Sequence, residues 1–286
     1  MKQRIISGVI MGAVVSLVLV LGLALPQGNI ILTVFVSLVA ALGVFELISN
    51  AVKIEDITLR ILSAIYTVAM VFIFTDMTEC IYKLNLTSYN ILSINTLILA
   101  IILSVVYFLA TAIVILLKQS QLDLIQIFAI CGMPLFYAFA FSTIASVIIV
   151  SSGIYYLLLV LNFACVCDIG AYFVGVSIGK TKLCPEISPK KTVEGALGGI
   201  VCSIILSLII TLCFGYFNKI IPVLLLTTPL CVVGIAGDLF ASVIKRKTGI
   251  KDYGDLIPGH GGILDRVDSV LFISPLVYCL MLIGAI

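Results

Sequence analysis

The charged residues of this sequence are concentrated in one short stretch, which we call the charged segment (residues 237–269). It reads GDLFASVIKRKTGIKDYGDLIPGHGGILDRVDS and contains the only histidine of the chain, His260. Its ten charged residues are Asp238, Lys245, Arg246, Lys247, Lys251, Asp252, Asp255, Asp265, Arg266 and Asp268. Because only 10% of the whole chain is charged and the flanking sequence is apolar, this segment is the first candidate for a reaction site at a membrane surface.

Carboxylates stand at both ends of the charged segment. Asp238 precedes Ser242 by four residues and Lys245 by seven, which places the three side chains on roughly one helix face. Asp265 and Asp268 are three residues apart and share a face of the following helix. Carboxylate oxygens suit Mg²⁺, which keeps several waters and bridges to substrate phosphates. These two helix ends are therefore candidate sites for a divalent metal.

Basic residues and glycines lie between these carboxylates. The basic side chains, which would neutralise a polyphosphate, are Lys245, Arg246, Lys247, Lys251 and Arg266. Gly254, Gly259, Gly261 and Gly262 allow the backbone to approach such a ligand closely. This composition is typical of metal-dependent phosphoryl or nucleotidyl transfer, which depends on positioning and charge stabilisation. The sequence leaves His260 open, either as an acid, base or phosphate donor or as the cap of a turn.

A second group of polar residues precedes the charged segment. Asp168 lies in an otherwise apolar helix, where a carboxylate usually needs a cation, a metal or a water-filled cavity. The loop 179–196 combines hydroxyls and prolines with Lys180, Lys182, Lys190 and Lys191, which suits phosphate binding, although topology alone would also explain lysines there. Glu46, near the end of an apolar run, either pairs with an inner-side cation such as Lys53 or lines a pocket.

Membrane-spanning helices must carry these residues. The chain of 286 residues is 62% hydrophobic with a mean hydropathy of +1.32, which excludes a soluble domain. A spanning helix needs about 20 apolar residues. Nine segments qualify: 5–25, 30–51, 59–76, 91–117, 123–149, 154–178, 197–217, 220–244 and 267–286. Most of the nine cysteines lie within such runs, so we expect no metal or redox role for them.

We therefore predict an all-α polytopic integral membrane protein with about nine transmembrane helices. It would form a single membrane domain over residues 1–286, with mainly spanning helices in 1–150 and a catalytic half in 151–286. The first segment is read as a retained span, because its apolar run exceeds the roughly 7–15 residues of a signal-peptide core.

The distribution of lysine and arginine predicts the orientation. With nine spans and a cytoplasmic N-terminus, fourteen of the sixteen basic residues fall on the inner side, and only Lys83 and Lys219 fall outside. The C-terminus would then lie outside. The two polar loops, 179–196 and 245–266, would face the cytoplasm.

The stretch from Ser242 to Ser269, SVIKRKTGIKDYGDLIPGHGGILDRVDS, resembles the signature of the phosphatidate cytidylyltransferase family, also called CDP-diacylglycerol synthases. The matching elements are Ser242, Lys245-Arg246, Lys251-Asp252, Gly254, Pro258, His260-Gly261-Gly262, Asp265-Arg266 and Asp268. DIGAYFVGVSIGKTKLCPEISPKKTVEGALGG, from Asp168 to Gly199, resembles a second family block, with Ile169 where many members have a small hydroxyl residue. The N-terminal half shares only its hydrophobic character.

The resemblance implies transfer of CMP from CTP to phosphatidic acid, giving CDP-diacylglycerol and pyrophosphate. It implies Mg²⁺ held by Asp238, Asp265 and Asp268, with a second cation left open. The implied catalytic residues are Asp238, Asp265, Asp268, Lys245 and Arg266, and the implied substrate-binding residues are Ser242, Arg246, Lys251, Asp252, His260, Lys190, Lys191 and Asp168. The expected partners are CTP, phosphatidic acid and the lipid bilayer, with no nucleic acid and with a homodimer left open. The expected location is a bacterial inner membrane, with the active site facing the cytoplasm.

Two alternatives stay open at this point. One is a related nucleotidyl- or phosphotransferase acting on another lipid, such as an isoprenoid-ether phosphate or a polyprenol. The other is an ion-coupled transporter, with Glu46, Asp168 and Asp238 along an ion path. The sequence shows no inverted repeat of the kind that many transporters have, which disfavours the transporter.

Overall fold

The computed structural model describes residues 2–83, 91–150 and 152–286, and the chain is mainly helical. The helices are α1 (Lys2–Ala24), α2 (Gly28–Glu46), α3 (Ile57–Lys83), α4 (Ile91–Leu117), α5 (Leu124–Ile149), α6 (Gly153–Leu161), α7 (Cys167–Ile178), α8 (Val193–Cys213), α9 (Ile220–Thr248) and α10 (Leu264–Leu282). Two π-helical turns, Leu47–Ala51 and Asn162–Val166, continue α2 and join α6 to α7, and a short 3₁₀ turn (Phe217–Lys219) precedes α9. The strands β1 (Lys182–Cys184) and β2 (Ser188–Thr192) form an antiparallel hairpin.

Eight helical segments among the described residues are long and apolar enough to cross a membrane. They are Ile6–Ala24, Gly28–Ala51, Ile57–Thr78, Ile94–Leu117, Leu124–Ile149, Gly153–Ile178, Val193–Cys213 and Phe217–Thr248. They match the first eight predicted segments and confirm an all-α polytopic membrane protein. The ninth predicted segment is helical as α10, but three charges in its first turns separate it from the other eight by composition. Its crossing of the membrane and the orientation of the termini stay predictions.

Both polar connections are shorter than the sequence predicted. The loop predicted over 245–266 is limited to residues 249–263, because α9 continues to Thr248 and α10 begins at Leu264. Gly249 ends α9 with a φ of 75°, a left-handed conformation that glycine adopts at little cost. The loop predicted over 179–196 contains the β1–β2 hairpin. It ends at Thr192, whose hydroxyl oxygen accepts a hydrogen bond from the Gly195 N–H and caps α8.

The chain forms two compact units. The first comprises Met1–Ile149 with Ile250–Arg266, and the second comprises Val150–Gly249 with Val267–Ile286. The expectation of a single membrane domain stays a prediction.

The first unit is packed around α2, α3 and α5. Ala40, Leu59 and Ala138 are fully buried there. Tyr107 on α4 donates a hydrogen bond to the Ile130 carbonyl, which satisfies its buried hydroxyl. In contrast, α1 and α4 expose many large apolar side chains, as helices in contact with lipid do.

The second unit has its core around the π-helical turn that joins α6 to α7. Tyr155, Leu159 and Phe163 lie in this core with Cys231. Asn162, which is 1% exposed, donates hydrogen bonds to the Ser203 carbonyl and the Ser207 hydroxyl. These bonds satisfy the amide NH₂ group of a polar residue at membrane depth and tie the turn to α8.

Candidate active site

A cleft of about 630 Å³ lies in the second unit. One part of its wall is charged and is formed by Asp168, Lys182, Lys190, Lys191 and Asp238. Another part is apolar and includes Tyr172, Val176 and Ile235. A cleft with both kinds of wall can hold an anionic group together with a less polar portion of the same or a second ligand.

The secondary structure explains how the charged side chains reach this cleft. Asp168 is the second residue of α7, directly after the π-helical turn, and Asp238 lies in α9. Lys190 and Lys191 are neighbours on β2. The helices α7 and α8 approach closely because Gly195 has no side chain, since a Cβ there would lie 2.6 Å from the Ala171 carbonyl oxygen.

An ion pair between Lys191 and Asp238 organises the charged wall. The Lys191 Nζ lies 2.5 Å from the Asp238 Oδ2, and both side chains are about one quarter exposed. Asp168 is electrostatically coupled to both residues. One ammonium group therefore faces two carboxylates, and this part of the wall has excess negative charge.

Asp268 adds a third carboxylate to this group within the second unit. It interacts electrostatically with Asp238, Asp168 and Lys245, and its Oδ1 accepts a hydrogen bond from the Ser269 N–H at 2.8 Å. The Ser269 side chain in turn forms a hydrogen bond with the Asp168 carboxylate. Two of the predicted metal ligands, Asp238 and Asp268, therefore lie in one electrostatic cluster with Asp168.

The donor set of this cluster fits Mg²⁺. Magnesium in phosphate-transfer sites is commonly held by one or two carboxylates, waters and the substrate phosphates, and the cluster supplies the carboxylates. Across the residues that the structure describes, no three histidine, cysteine, aspartate or glutamate side chains converge tightly enough to form a metal centre by themselves. The predicted centre of three aspartates stays a prediction.

Ser242 lies next to Asp238 on α9, as the spacing of four residues predicted. Its hydroxyl is 3.5 Å from the Asp238 Oδ1, at the outer limit of a hydrogen bond. Arg246, by contrast, is exposed near the end of α9.

In the first unit, Asp265 holds the backbone of the loop that precedes it. Its Oδ2 accepts hydrogen bonds from the Tyr253 N–H at 2.7 Å and the Gly262 N–H at 3.0 Å. One oxygen of this predicted metal ligand is thus engaged by the protein backbone. Its role as a metal ligand stays a prediction.

Glu46 has a role that neither reading of the sequence anticipated. The side chain is buried, and its Oε2 accepts hydrogen bonds from the Ile263 N–H at 2.8 Å and the Leu264 N–H at 3.4 Å. These amides belong to the beginning of α10, so the carboxylate caps that helix. The contact joins residues more than 200 positions apart, and no local pattern in the sequence indicates it.

His260 is also engaged by a distant residue. The Ser7 hydroxyl on α1 lies 2.8 Å from the His260 Nδ1 and 3.0 Å from the Pro258 carbonyl oxygen. The His260 N–H closes a turn onto the Ile257 carbonyl, and Arg266 donates to the His260 carbonyl oxygen. The structure therefore contains the turn at His260 that one of the two readings of the sequence required. The other reading, an acid, base or phosphate donor, stays a prediction.

Two other predicted substrate-binding residues, Lys251 and Asp252, are exposed in the loop 249–263. Their predicted contacts with substrate stay predictions. Lys182, which was predicted only as one of the loop lysines suited to phosphate, lines the cleft, and so does Tyr172, for which no role was predicted. Alternation along β1 could have placed Lys182 on one side of the hairpin, but only if the hairpin itself had been recognised.

Comparison with known proteins gives a consistent result. Residues 2–283 match the model of the cytidylyltransferase family. The phosphatidate cytidylyltransferase of Bacillus subtilis (strain 168) is 52% identical over 123 residues, which are 42% of this chain and 46% of the relative. The phosphatidate cytidylyltransferases of Staphylococcus haemolyticus (strain JCSC1435) and Staphylococcus aureus (strain COL) are 47% and 46% identical over 133 residues, which are 46% of this chain and 51% of each relative.

The matched region spans about half the length of these curated relatives. The family model, in contrast, extends over nearly the whole chain. This chain belongs to the cytidylyltransferase family.

Proposed function

We propose that this protein transfers CMP from CTP to phosphatidic acid and releases CDP-diacylglycerol and pyrophosphate. The cleft in the second unit carries this proposal, because it combines carboxylates, lysines and an apolar wall in one cavity. The substrates are those that the name of the three relatives indicates.

The lysines of the cleft would bind the phosphates. Lys182, Lys190 and Lys191 line the cavity, and the ammonium group of a lysine is a strongly charged donor that carries no acceptor of its own. They would neutralise the phosphates of CTP and of the lipid, which otherwise repel each other. Tyr172 and Val176 would face a less polar part of the ligands.

The reaction would be an in-line displacement. A phosphate oxygen of phosphatidic acid forms a bond to the α-phosphorus of CTP, and the bond from that phosphorus to the bridging oxygen of the β-phosphate breaks. The lipid phosphate is already anionic, so the reaction needs no strong general base. The cleft would contribute mainly by holding the reacting groups in line and by stabilising charge.

Asp238 and Asp268 would hold Mg²⁺, with waters and the substrate phosphates as its other ligands. The ion would supply charge neutralisation on the transferred and leaving phosphates. Lys191 would hold the Asp238 carboxylate in position, because the two side chains are paired at 2.5 Å.

The protein would work in a bacterial plasma membrane with the cleft on the cytoplasmic side. The eight apolar helices support membrane insertion, and the relatives are bacterial. The cytoplasmic side follows from the bias of lysine and arginine in the sequence.

Purified protein in detergent with CTP, Mg²⁺ and phosphatidic acid tests the proposal. We expect a CMP-containing lipid and an equal amount of pyrophosphate, and no product after chelation of the divalent metal. Parallel reactions would contain an isoprenoid-ether phosphate or a polyprenol phosphate in place of phosphatidic acid. A preference for either of these would overturn the assignment of the lipid, and no CMP-lipid with any acceptor would overturn the enzyme assignment.

A further inference from the structure

The carboxylate of Glu46 occupies an unusual position for a residue of an apolar helix. It lies at the end of α2, directly before the π-helical turn Leu47–Ala51, and it is 8% exposed. A buried carboxylate is costly unless it is hydrogen-bonded. Its Oε2 accepts from the Ile263 and Leu264 N–H groups, which lie at the start of α10 and have no partner within that helix.

The loop backbone is closed around this carboxylate. A Cβ at Gly254 would lie 2.5 Å from the Glu46 Oε1, and the three atoms nearest to it all belong to Glu46. Asn50, in the π-helical turn, donates a hydrogen bond to the Tyr253 carbonyl at 2.6 Å. On the other side of that residue, the Tyr253 N–H donates to Asp265. The end of α2 and the beginning of α10 thus hold the same part of the loop.

We propose that Glu46 is a positioning residue for the transfer reaction. It caps α10 and fixes the loop 250–263, so that the first turn of α10 has one conformation. Asp268 follows one turn later on the same helix, and its place depends on where that helix begins. The inference rests on the proposed function, but Glu46 itself would touch neither substrate nor metal.

Substitutions at Glu46 separate positioning from chemistry. In Glu46→Ala we expect kcat to fall by about 10- to 100-fold while KM for CTP changes less than about threefold, because misplacement of reacting groups lowers kcat. In Glu46→Gln we expect kcat within about threefold of the wild type, since neutral oxygen acceptors cap helices nearly as well as charged ones. Glu55→Ala removes an exposed carboxylate of the same unit and is the matched control.

Gly254 provides a second test that needs no loss of the carboxylate. Gly254→Ala should lower kcat in the wild type, because the three atoms nearest to the added methyl group all belong to the Glu46 side chain. In the Glu46→Ala background the same change should cost less than about twofold, since the obstructing side chain is absent, and this loss of additivity is expected of residues in direct contact.

Limited trypsin digestion gives a readout that is independent of activity. We expect Glu46→Ala to accelerate cleavage after Lys251, in the loop, by about tenfold or more, because local opening controls proteolysis. Cleavage after Lys118, elsewhere in the first unit, should be unchanged, and Glu46→Gln should behave like the wild type.

Three results would overturn the proposal. They are a Gln variant as defective as the Ala variant, a Gly254→Ala effect of equal size in both backgrounds, and unchanged cleavage after Lys251 in Glu46→Ala. If Glu46→Ala does not fold, the wild-type background decides the matter: a Glu46→Gln variant with kcat lowered by more than about tenfold, or a Gly254→Ala variant with unchanged kcat, would overturn the proposal. If the wild type transfers no CMP, the proposed function fails by itself, and the cleavage rates still support or overturn the cap.

Discussion

At the scale of single residues, the pairing of Lys191 with Asp238 controls the charge of the cleft. Lys191 is the cation that faces the carboxylates Asp168 and Asp238. Without it, two partly buried carboxylates would repel each other and the incoming phosphates. Under the proposed function, the same lysine would both hold the carboxylates of the cleft together and bind an anionic substrate.

Lys191→Met should lower kcat/KM for CTP by about 10²- to 10³-fold, the range found when one charge-stabilising donor is removed from an active site. Initial rates of CMP-lipid formation at several CTP concentrations measure this effect. Lys180→Met removes an exposed lysine next to the hairpin and is the matched control. Equal activity of the two variants would contradict the role of Lys191.

The charged wall of the cleft was partly predictable from the sequence. Lys190 and Lys191 were selected because their loop combines lysines with hydroxyls, and Asp238 because of its spacing to Ser242. Asp168 was selected because a carboxylate within apolar sequence is costly, and the structure brings all four residues to one cleft. Glu46 was noticed for the same reason, but its partners were not. Its hydrogen bonds end on backbone amides of a distant loop, and backbone groups leave no trace in residue types.

At the scale of elements, helix ends and short turns position the charged groups. The end of α9 is fixed by Gly249, and the start of α8 by the Thr192 cap. The start of α3 has a similar device outside the membrane-spanning part: the Asp56 Oδ1 accepts a hydrogen bond from the Thr58 N–H and from the Lys118 ammonium, at 2.8 and 2.7 Å.

The pair of Asp56 and Lys118 should make stability depend on pH. The hydrogen bond from Lys118 lowers the pKa of Asp56 below its ordinary value of 3.8. A lowered pKa means that the stabilisation is present above the ordinary pKa and is lost as the pH falls towards the pKa of the folded state. Because Lys118 is 47% exposed, we expect only about 0.5 kcal/mol.

Thermal unfolding of Asp56→Asn in detergent checks this prediction. The variant should melt about 1 to 2 °C below the wild type at neutral pH, and the difference should close as the pH falls below about 4. Glu55→Gln, an exposed neighbour, is the control and should match the wild type throughout. A difference that grows in acid would contradict the ion pair.

Element types were easier to predict from the sequence than element boundaries. Eight apolar runs became eight long helices, because a span needs a length of apolar sequence that composition reveals directly. The β1–β2 hairpin was missed because its residues, including two prolines near the turn, give no alternating apolar pattern. The π-helical turns beside Glu46 and Asn162 likewise follow from packing and not from local preference.

At the scale of the whole molecule, orientation in the membrane is the main expectation that the fold leaves to experiment. A cytoplasmic N-terminus puts fourteen of sixteen basic residues inside, provided that α10 is a ninth span. Its first turns carry Asp265, Arg266 and Asp268, so only the apolar remainder would lie within the bilayer.

Reporter fusions test this arrangement. Alkaline phosphatase, active only outside the cytoplasm, should be active when it is fused after Ile286 and inactive when it is fused within the β1–β2 turn after Pro185. A fluorescent protein that matures only in the cytoplasm should give the opposite pattern at both sites. Inactive phosphatase at Ile286 would show that α10 does not cross the membrane.

The transfer of the α-phosphorus of CTP to the lipid tests the central claim most directly. Wild-type protein and Asp238→Asn would be incubated with phosphatidic acid, Mg²⁺ and CTP labelled at either the α- or the γ-phosphorus. We predict that the wild type moves the α-label into lipid and releases the γ-label as pyrophosphate, and that Asp238→Asn, though folded, moves the α-label at less than about one hundredth of that rate. Label from the γ-phosphorus in the lipid, or undiminished transfer by Asp238→Asn, would contradict the account.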